Sequence, residues 1–285
     1  MNKIASIFFV LSALFVSIHL EGQDIKNDLF ELPDVIFKEL VATKPSEKLY
    51  ELKIKQPIDH ENPSKGYFFQ RAFLSHININ NPVVMVTSGY SQRRPYPTEL
   101  SELLNANQLS IEHRYFGESC PDTMDYTYLT MEQATGDLHK INQLFRNIYQ
   151  GKWLSTGASK DGTTTIFYRF FYPNDVDVSV PYVAPINTGY EEKRIYAFLD
   201  TIGSDECREK ILSFQKRLLH NREEALPLTQ MFSQGAGLKF TYLSFEEAFE
   251  YAVLEYPFAF WQYGTSCIDI PGDKTSMLLA VQHLM

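Results

Sequence analysis

The stretch that decides the fold is Trp153-Leu154-Ser155-Thr156-Gly157-Ala158-Ser159-Lys160-Asp161-Gly162. An apolar run over 148–154 leads into it, and a run compatible with a helix, 163–171, leads out. A serine at a tight turn between a strand and a helix stands clear of the sheet, where N–H groups at the helix N-terminus favour a negative charge. The pattern therefore predicts that Ser159 is a nucleophile. The alternative is a Gly/Ser loop without chemistry.

The composition predicts a substantial folded core and an acidic protein. The chain has 285 residues, of which 44% are hydrophobic and 14% aromatic. This is enough for one large domain or for a domain with an insertion. The formal charge of −9 makes nucleic acid and anionic membrane surfaces poor partners, whereas a peptide with a free amino terminus suits it better. Because no spacing of cysteine and histidine is typical of a metal site, we predict neither a metal nor a cofactor.

The N-terminal residues predict export. Lys3 precedes an almost unbroken apolar run over 4–16, and a polar segment follows, as in a secretory signal peptide cut after Gly22. We expect a periplasmic or secreted protein with no stable membrane insertion after signal cleavage. An uncleaved membrane anchor is the alternative, although the run is short for that.

The three cysteines fit an exported protein, because export allows disulfides to form. Cys207 and Cys267 both lie in the later, helical part of the chain, so we expect them to pair. Cys120 is then left over as a free thiol.

The segments before the Ser159 turn predict an α/β sheet. Residues 23–46 are mixed and polar, and we expect an extended segment there. Alternation over 50–55 and an apolar run over 68–77 predict an antiparallel strand pair at a sheet edge. The continuous apolar run 82–87 is typical of a strand buried on both faces. Residues 130–149 carry a helical stripe, and Thr130 with Gln133 predicts a capping box at its start.

The loop after the buried strand is the predicted second half of an oxyanion hole. The strand 82–87 ends at Ser88-Gly89-Tyr90, where an α/β-hydrolase supplies one of its two oxyanion-binding N–H groups. We predict that the Tyr90 N–H serves this role, with the Lys160 N–H as its partner. The alternative is a glycine that merely ends a strand.

A charged and aromatic string, 112–119, follows the next strand, at the edge of the sheet where α/β sites are built. We expect Glu112 with Arg114, or Arg114 with Glu118, to form partly buried ion pairs that brace the site. His113 invites a catalytic role. However, the catalytic histidine of this fold follows the serine along the chain, so we predict a structural role for it.

The character of the sequence changes at residue 187. Five helices are predicted after it, with no strand between them, at 191–199, 205–220, 226–233, 244–254 and 275–284. This pattern is typical of a helical lid. The aromatic string 255–263 surrounds one acid, so we predict that Glu255 pairs with a substrate ammonium and that Trp261 lines the same cavity. Ordinary packing within the lid is the alternative.

Six segments of the chain together resemble the secreted bacterial tripeptidyl aminopeptidases that act near proline, which are serine peptidases related to the prolylcarboxypeptidases. The segments are 56–60, 69–71, 87–90, 112–119, 153–160 and 258–263. The resemblance implies an α/β-hydrolase core with a mostly parallel sheet and a helical lid, Ser159 as the nucleophile, and release of short peptides from free amino termini. It divides the chain into a signal peptide (1–22), the N-terminal part of the core (23–186) and the lid (187–285).

The chain departs from this family pattern in two places. The family carries two glycines after the lysine of the turn, and here Asp161 takes the first of these positions, where packing is tight. The catalytic aspartate and histidine are expected on strands beyond the lid. Only His220 and His283 follow Ser159, and we expect neither to be the base. We therefore predict that the C-terminal part of the core is missing and that the chain alone is inactive or incomplete. A non-catalytic or decayed peptide-binding paralogue and a secreted esterase are the alternatives.

Overall fold

A mixed sheet organises the first part of the chain in the computed structural model, which describes residues 24–42 and 44–285. Its seven strands are β1 (Val35–Leu40), β2 (Lys48–Pro57), β3 (Tyr67–His76), β4 (Val83–Thr87), β5 (Asn107–Ile111), β6 (Trp153–Ala158) and β7 (Val178–Tyr182). They lie in the order β1-β2-β3-β5-β4-β6-β7. The predicted α/β-hydrolase type of sheet is confirmed.

The sheet is mixed: half of its strand pairings are antiparallel, while five of its seven strands, β2, β4, β5, β6 and β7, run in one direction. β1, β2, β3 and β5 pair antiparallel in succession, whereas β5, β4, β6 and β7 pair parallel. The physical reason lies in the connections. Short links between β1, β2 and β3 return the chain in the opposite direction, whereas parallel neighbours need a longer crossover, usually through a helix.

Four helices accompany the sheet: α1 (Ile25–Glu31), α2 (Glu99–Leu103), α3 (Met131–Phe145) and α4 (Lys160–Phe171). The Thr130 hydroxyl accepts the Gln133 N–H at 3.3 Å and caps α3. The predicted capping box is nevertheless wrong, because the Gln133 side chain turns away from the helix start. Its amide oxygen accepts the His60 N–H at 2.8 Å and its amide nitrogen donates to Asp59 at 3.0 Å.

The N-terminal segment is not extended, as we had expected over 23–46, but forms a helix and a strand. The Asp24 side chain accepts the Lys26 N–H at 3.3 Å and starts α1, whose Ile25 and Leu29 are buried. β1 then pairs with β2, with Phe37 opposite Leu52. β1 is therefore the edge strand, and the β2–β3 pair lies inside the sheet rather than at its edge.

The second compact unit of the chain, 187–285, is helical. Its helices are α5 (Lys193–Thr201), α6 (Asp205–His220), α7 (Arg222–Gly235), α8 (Phe245–Gln262) and α9 (Met277–Leu284). The predicted disulfide between Cys207 and Cys267 is confirmed, and Cys120 is a free thiol in the first unit, which ends at Ile186. A disulfide here closes a loop whose ends lie 60 residues apart in sequence.

Helix α8 is longer than the sequence predicted, because it continues through Pro257. A proline inside a helix leaves the carbonyl four residues earlier without its usual N–H partner. The Gln215 side chain of α6 supplies the replacement, donating to the Val253 carbonyl at 2.8 Å. The helix therefore runs on to Gln262 and carries the aromatic string up to that residue, with Tyr263 as its C-cap.

The predicted signal peptide lies outside the described residues. Within the described part, no helix combines the length and the hydropathy that crossing a membrane requires.

Candidate active site

Ser159 occupies the turn between β6 and α4 in a conformation that few serines adopt. Its backbone has φ 57° and ψ −125°, and Ser159 is exposed to solvent. A positive φ in a residue other than glycine is strained and persists only where the surroundings hold it. Here the Ser159 N–H donates to the Tyr182 carbonyl at 3.0 Å, and the Ser159 carbonyl accepts the Thr163 N–H at 3.0 Å. The Ser159 hydroxyl makes no capping bond to α4.

Two glycines allow β6 and α4 to cross closely enough for this turn. A Cβ atom added to Gly157 would lie 2.5 Å from the carbonyl carbon and oxygen of Asp161. One added to Gly162 would lie 2.8 Å from the Tyr182 carbonyl oxygen. Real Cβ atoms do not approach backbone atoms this closely, so larger residues at either position would push the strand and helix apart.

The loop after β4 packs directly against the first turn of α4. A Cβ atom added to Gly89 would lie 2.6 Å from Cγ of Lys160. The Lys160 ammonium lies over the rings of Tyr90 and Phe116, 4.4 and 4.5 Å from their centroids. The structure therefore brings together Tyr90 and Lys160, the two residues whose N–H groups the sequence predicted for an oxyanion hole.

Asp161 joins the same two segments with a hydrogen bond. Its Oδ1 atom accepts the Gly89 N–H at 2.6 Å. Burial raises the pKa of the Asp161 carboxyl, while the Gly89 N–H and the Lys160 ammonium act in the opposite direction. Asp161 also lines a cavity of about 450 Å³ on the first unit. The other side chains that give this cavity its character belong to Tyr96, Pro97, Glu99, Leu100 and Tyr182.

Glu112 is fully buried, but its ionic partner is not the one expected. Its Oε2 atom accepts hydrogen bonds from Nη2 of Arg71 at 2.6 Å and from the Gln92 N–H at 2.7 Å. Its Oε1 atom accepts the Glu118 N–H and the Ser119 hydroxyl, each at 2.8 Å. Arg71 also donates to the Glu118 carboxylate at 2.7 Å. The predicted pairs through Arg114 are therefore wrong, because the antiparallel register of β3 and β5 places Arg71 beside Glu112.

Arg114 instead forms a buried, two-point ion pair with Asp137 of α3. Its Nε and Nη2 atoms donate to the two carboxylate oxygens at 2.7 and 2.6 Å, and neither side chain is exposed. The His60 Nε2 atom lies 2.7 Å from the same carboxylate. The sequence analysis missed Asp137, although one signal was present: this acid lies within the apolar stripe of α3, next to the buried Leu138.

No histidine of the described part hydrogen-bonds the Ser159 hydroxyl. His113 is buried, its Nδ1 atom lies 2.8 Å from the Arg114 carbonyl, and burial lowers its pKa. His283 lies 2.8 Å from the Tyr256 hydroxyl. The remaining pairs are His60 with Asp137, His76 with Tyr149, and His139 with Asp175. His220 is exposed at the end of α6.

The two residues predicted to bind substrate in the helical unit are not brought to one cavity. Glu255 is exposed on α8. Trp261 is half-buried, packs against Gly203, and lines a cavity of about 410 Å³ whose lining does not include Glu255. Asp200, Asp205 and Glu209 supply the acidic groups of this cavity instead. Across residues 24–42 and 44–285, no group of three or more His, Cys, Asp or Glu side chains could hold a metal ion.

Comparison with known proteins places these features in a family. Residues 20–279 match the family described as PS-10 peptidase S37. The chain is 34% identical over 267 residues to a prolyl tri/tetrapeptidyl aminopeptidase of Streptomyces mobaraensis, covering 91% of this chain and 55% of that protein. It is 24% identical over 156 residues to the lysosomal Pro-X carboxypeptidase of Mus musculus, covering 47% of this chain and 32% of that protein.

The chain thus spans about half the length of the first of these relatives, and less of the second. Among solved structures, acetyl xylan esterase 1 from Thermoanaerobacterium sp. JW/SL YS485 aligns with a TM-score of 0.42 and 12% identity, over 62% of this chain and 65% of that one. The family match extends over nearly the whole described part and includes both the Ser159 turn and the string 112–119. The chain belongs to the S37 family of serine peptidases.

Proposed function

We propose that this chain carries the nucleophile of an exported serine exopeptidase that releases short peptides from free amino termini. The observation that carries the proposal is Ser159 itself, exposed at a strand–helix turn with φ 57°. The substrate class comes from the relative in Streptomyces mobaraensis, which is named a prolyl tri/tetrapeptidyl aminopeptidase. The formal charge of −9 suits a substrate with a cationic amino terminus better than a polyanion such as nucleic acid.

In this mechanism the Ser159 hydroxyl attacks the carbonyl carbon of the scissile peptide bond and forms an acyl-enzyme. The N–H groups of Tyr90 and Lys160 donate to the oxygen that becomes negative in the transition state. Lys160 is the first residue of α4, where an N–H has no acceptor within the helix. The buried groups of Glu112 and Arg114 do not touch substrate but hold the string 112–119, whose Phe116 ring contacts Lys160.

The proposal includes a second point: the described residues of this chain do not supply the general base. A serine hydroxyl needs a hydrogen-bonded imidazole to lose its proton at the moment of attack. Each buried or half-buried histidine described above is bonded to another group, and none is bonded to Ser159. Removing one member of a catalytic triad lowers the rate by several orders of magnitude, so the chain alone is nearly inactive.

The helical unit contributes substrate contacts of its own in this proposal. Trp261 forms part of an apolar wall, and the exposed Glu255 is available to pair with an ammonium group. The test is separate from that of Ser159. Trp261→Ala should weaken binding of a tripeptide with a free amino terminus, whereas the N-acetylated tripeptide should bind weakly to both forms. Equal binding of the two peptides to the unaltered chain would contradict the proposed preference for a free amino terminus.

A fluorophosphonate probe tests the assignment of the nucleophile. The intact chain should be phosphonylated slowly at Ser159, and Ser159→Ala should abolish the product. Ser155→Ala is the matched control, because Ser155 lies four residues earlier on β6 and its hydroxyl is occupied by a hydrogen bond to Ser179 at 2.9 Å. Rapid labelling at Ser159 would contradict the claim that the described residues do not supply the general base. Labelling that survives in Ser159→Ala would contradict the nucleophile itself.

A second candidate is a non-catalytic peptide-binding protein, which is favoured because no imidazole of the described residues is bonded to Ser159. Such a protein should bind tripeptides in a calorimeter and give no phosphonylated Ser159 after long exposure to the probe. Hydrolysis of tripeptide amides, compared with that of short acyl esters, separates both candidates from an esterase.

A further inference from the structure

We propose that Asp161 is a positioning residue that anchors the loop Ser88–Tyr90 to α4 through the Gly89 N–H, so that the order of this loop and the reactivity of Ser159 both depend on the Asp161 carboxylate. The inference rests on the proposed roles of Ser159 and Tyr90, and it extends them to a residue that those roles do not use. The loop Ser88–Tyr90 is called the oxyanion loop below.

The oxyanion loop has few other ways of being fixed at Gly89. Gly89 itself has no side chain, and its close contact with Lys160 leaves no room for one. Its N–H donates to Asp161 Oδ1 at 2.6 Å, a short distance, as is typical of hydrogen bonds to a charged acceptor. Tyr90 is the next residue, and its N–H is the one that we assign to the oxyanion hole. A hydrogen bond at Gly89 therefore sets the position of the peptide unit immediately before that donor.

Asp161 connects to β4 through its backbone as well as its side chain. The Thr87 hydroxyl lies 3.2 Å from the Asp161 carbonyl and 2.7 Å from the Thr165 hydroxyl. The first turn of α4 is thus tied both to the last residue of β4 and to the loop that follows it. A glycine at position 161 would keep the backbone tie to Thr87 and lose the tie to Gly89. The carboxylate therefore adds an anchor that a glycine in this position cannot provide.

The charge of Asp161 acts on catalysis in two opposite directions. As an anion in the first turn of α4 it is favoured by the helix N-terminus, and it accepts the Gly89 N–H more strongly than a neutral acid does. However, it also places negative charge next to the position where the substrate oxygen becomes negative. The neutral form should hold the loop less firmly but oppose the oxyanion less. Asparagine at this position should keep the acceptor and remove the charge.

Several titratable groups lie around Asp161. The Lys160 ammonium favours the carboxylate, and burial disfavours it and raises its pKa. Tyr96, Glu99 and Tyr182 line the same cavity, and the charge of Asp161 contributes, after burial, to a raised pKa of Tyr96. Asp161 is half-buried and lines a cavity of about 450 Å³, which has room for water beside the carboxyl.

The experiment reads the Gly89 amide directly in the intact chain. Ser88-Gly89 is the single Ser-Gly step of the sequence. Labelling serine carbonyls with ¹³C and glycine amides with ¹⁵N therefore gives one Ser-Gly correlation, without further assignment. Its proton shift should follow one titration step at a pH above the usual range of an aspartate carboxyl, because burial raises the pKa of Asp161. Asp161→Asn should remove the step and leave the amide protected from hydrogen exchange to within about threefold. Asp161→Gly should speed its exchange by about tenfold or more, the amount expected for a lost hydrogen bond to a charged group.

Asp177→Asn is the control, because Asp177 also accepts a backbone N–H, that of Trp153 at 2.9 Å. This change should leave the Gly89 amide unaltered. The functional readout is the rate of Ser159 phosphonylation in Asp161→Asn divided by the rate in the unaltered chain. This ratio should rise with pH across the Gly89 titration, because only the unaltered chain gains a negative charge beside the oxyanion. A Gly89 shift independent of pH, or equal exchange in the unaltered chain and Asp161→Gly, would overturn the inference. A complete lack of Ser159 labelling would instead overturn the proposed function and leave the Gly89 result standing.

Discussion

Replacing Arg114 by methionine is the sharpest perturbation of the framework that holds the site. The Arg114–Asp137 pair has both side chains fully buried, with donor–acceptor distances of 2.7 and 2.6 Å. Methionine has a similar length and no charge, so Arg114→Met leaves Asp137 as a buried carboxylate whose strongest partner is gone. Breaking a buried ion pair by removing one partner costs about 3–5 kcal/mol.

Three further contacts of Arg114 place the expected cost above the lower end of this range. Its guanidinium also donates to the carbonyls of Pro57, Ile58 and Tyr128 at 3.2, 2.9 and 3.0 Å. Buried carbonyls without donors are destabilising, although partial exposure lets water replace some of these bonds. We expect a loss of about 4 kcal/mol, a large fraction of the roughly 5–15 kcal/mol of a typical domain. At an ordinary urea dependence of about 2 kcal/mol per molar, the unfolding midpoint should fall by about 2 M.

Urea unfolding followed by tryptophan fluorescence measures this loss in the right part of the molecule. The chain has two tryptophans, so in a Trp261→Phe background Trp153, buried in β6, reports on the sheet. Lys44→Met is the matched control, because the Lys44–Glu102 pair is exposed and should contribute less than about 1 kcal/mol. Combining Arg114→Met with Asp137→Leu should recover much of the loss, since no buried charge then remains. A midpoint for Arg114→Met within error of the control would refute the reasoning.

The remaining predictions concern other parts of the molecule. Replacing both Cys207 and Cys267 by serine should destabilise the helical unit by about 4 kcal/mol, the entropic estimate for a loop of 60 residues, and an unchanged thermal midpoint would contradict this. Burial lowers the pKa of His76 to about 4, so on acidification the unfolded chain takes up a proton at this residue before the folded chain does. The free energy of unfolding should therefore fall as the pH drops from about 6.5 to 4. In urea titrations, His76→Gln should make this dependence on pH weaker. Gly157→Ala should lower the free energy of unfolding by about 1–3 kcal/mol and disorder the Ser159 turn, which urea unfolding and the loss of Ser159 phosphonylation would measure. Unchanged stability and phosphonylation would contradict the close crossing of β6 and α4.

The features that the sequence predicts best are those whose causes are local. Gly157, Ser159 and Gly162 lie within six residues, and their small size and spacing dictate the turn wherever the rest of the chain lies. Helix α6 begins and ends where the sequence predicts it, Asp205–His220, because the Ser204 cap and the apolar period are contained in the segment itself. The start of α8 also has a local cause, because Ser244 and Glu247 form a capping box within the first turn of the helix.

The ion pairs could not be predicted, because they depend on register between distant segments. Arg71 lies 41 residues before Glu112, and only the pairing of β3 with β5 brings the two together. Asp137 lies 23 residues beyond Arg114 on a helix that must first pack on the sheet. Choosing partners for Arg114 within its own string ignored these long-range contacts, so the bracing role was expected but the partners were wrong.

Two errors in the helices and strands have similar causes. The sequence signal for α1 is short, because it consists only of the Asp24 cap and the apolar pair Ile25 and Leu29. The mixed, polar composition of the surrounding residues makes this signal difficult to recognise. The sequence predicts a helix only over 244–254, because nothing near Pro257 in sequence shows that Gln215 of α6 satisfies the carbonyl that the proline leaves free. In both cases tertiary contacts decide an outcome that local propensity leaves open.

The most direct test of the central claim is the site and rate of covalent modification of the intact chain by a fluorophosphonate, mapped by peptide mass spectrometry. A hydroxyl exposed on a strained turn and not bonded to any described imidazole should give one modified peptide, the one that contains Ser159, formed over hours rather than seconds. Modification at another serine, or at Ser159 as fast as in a serine peptidase with a complete triad, would contradict the account.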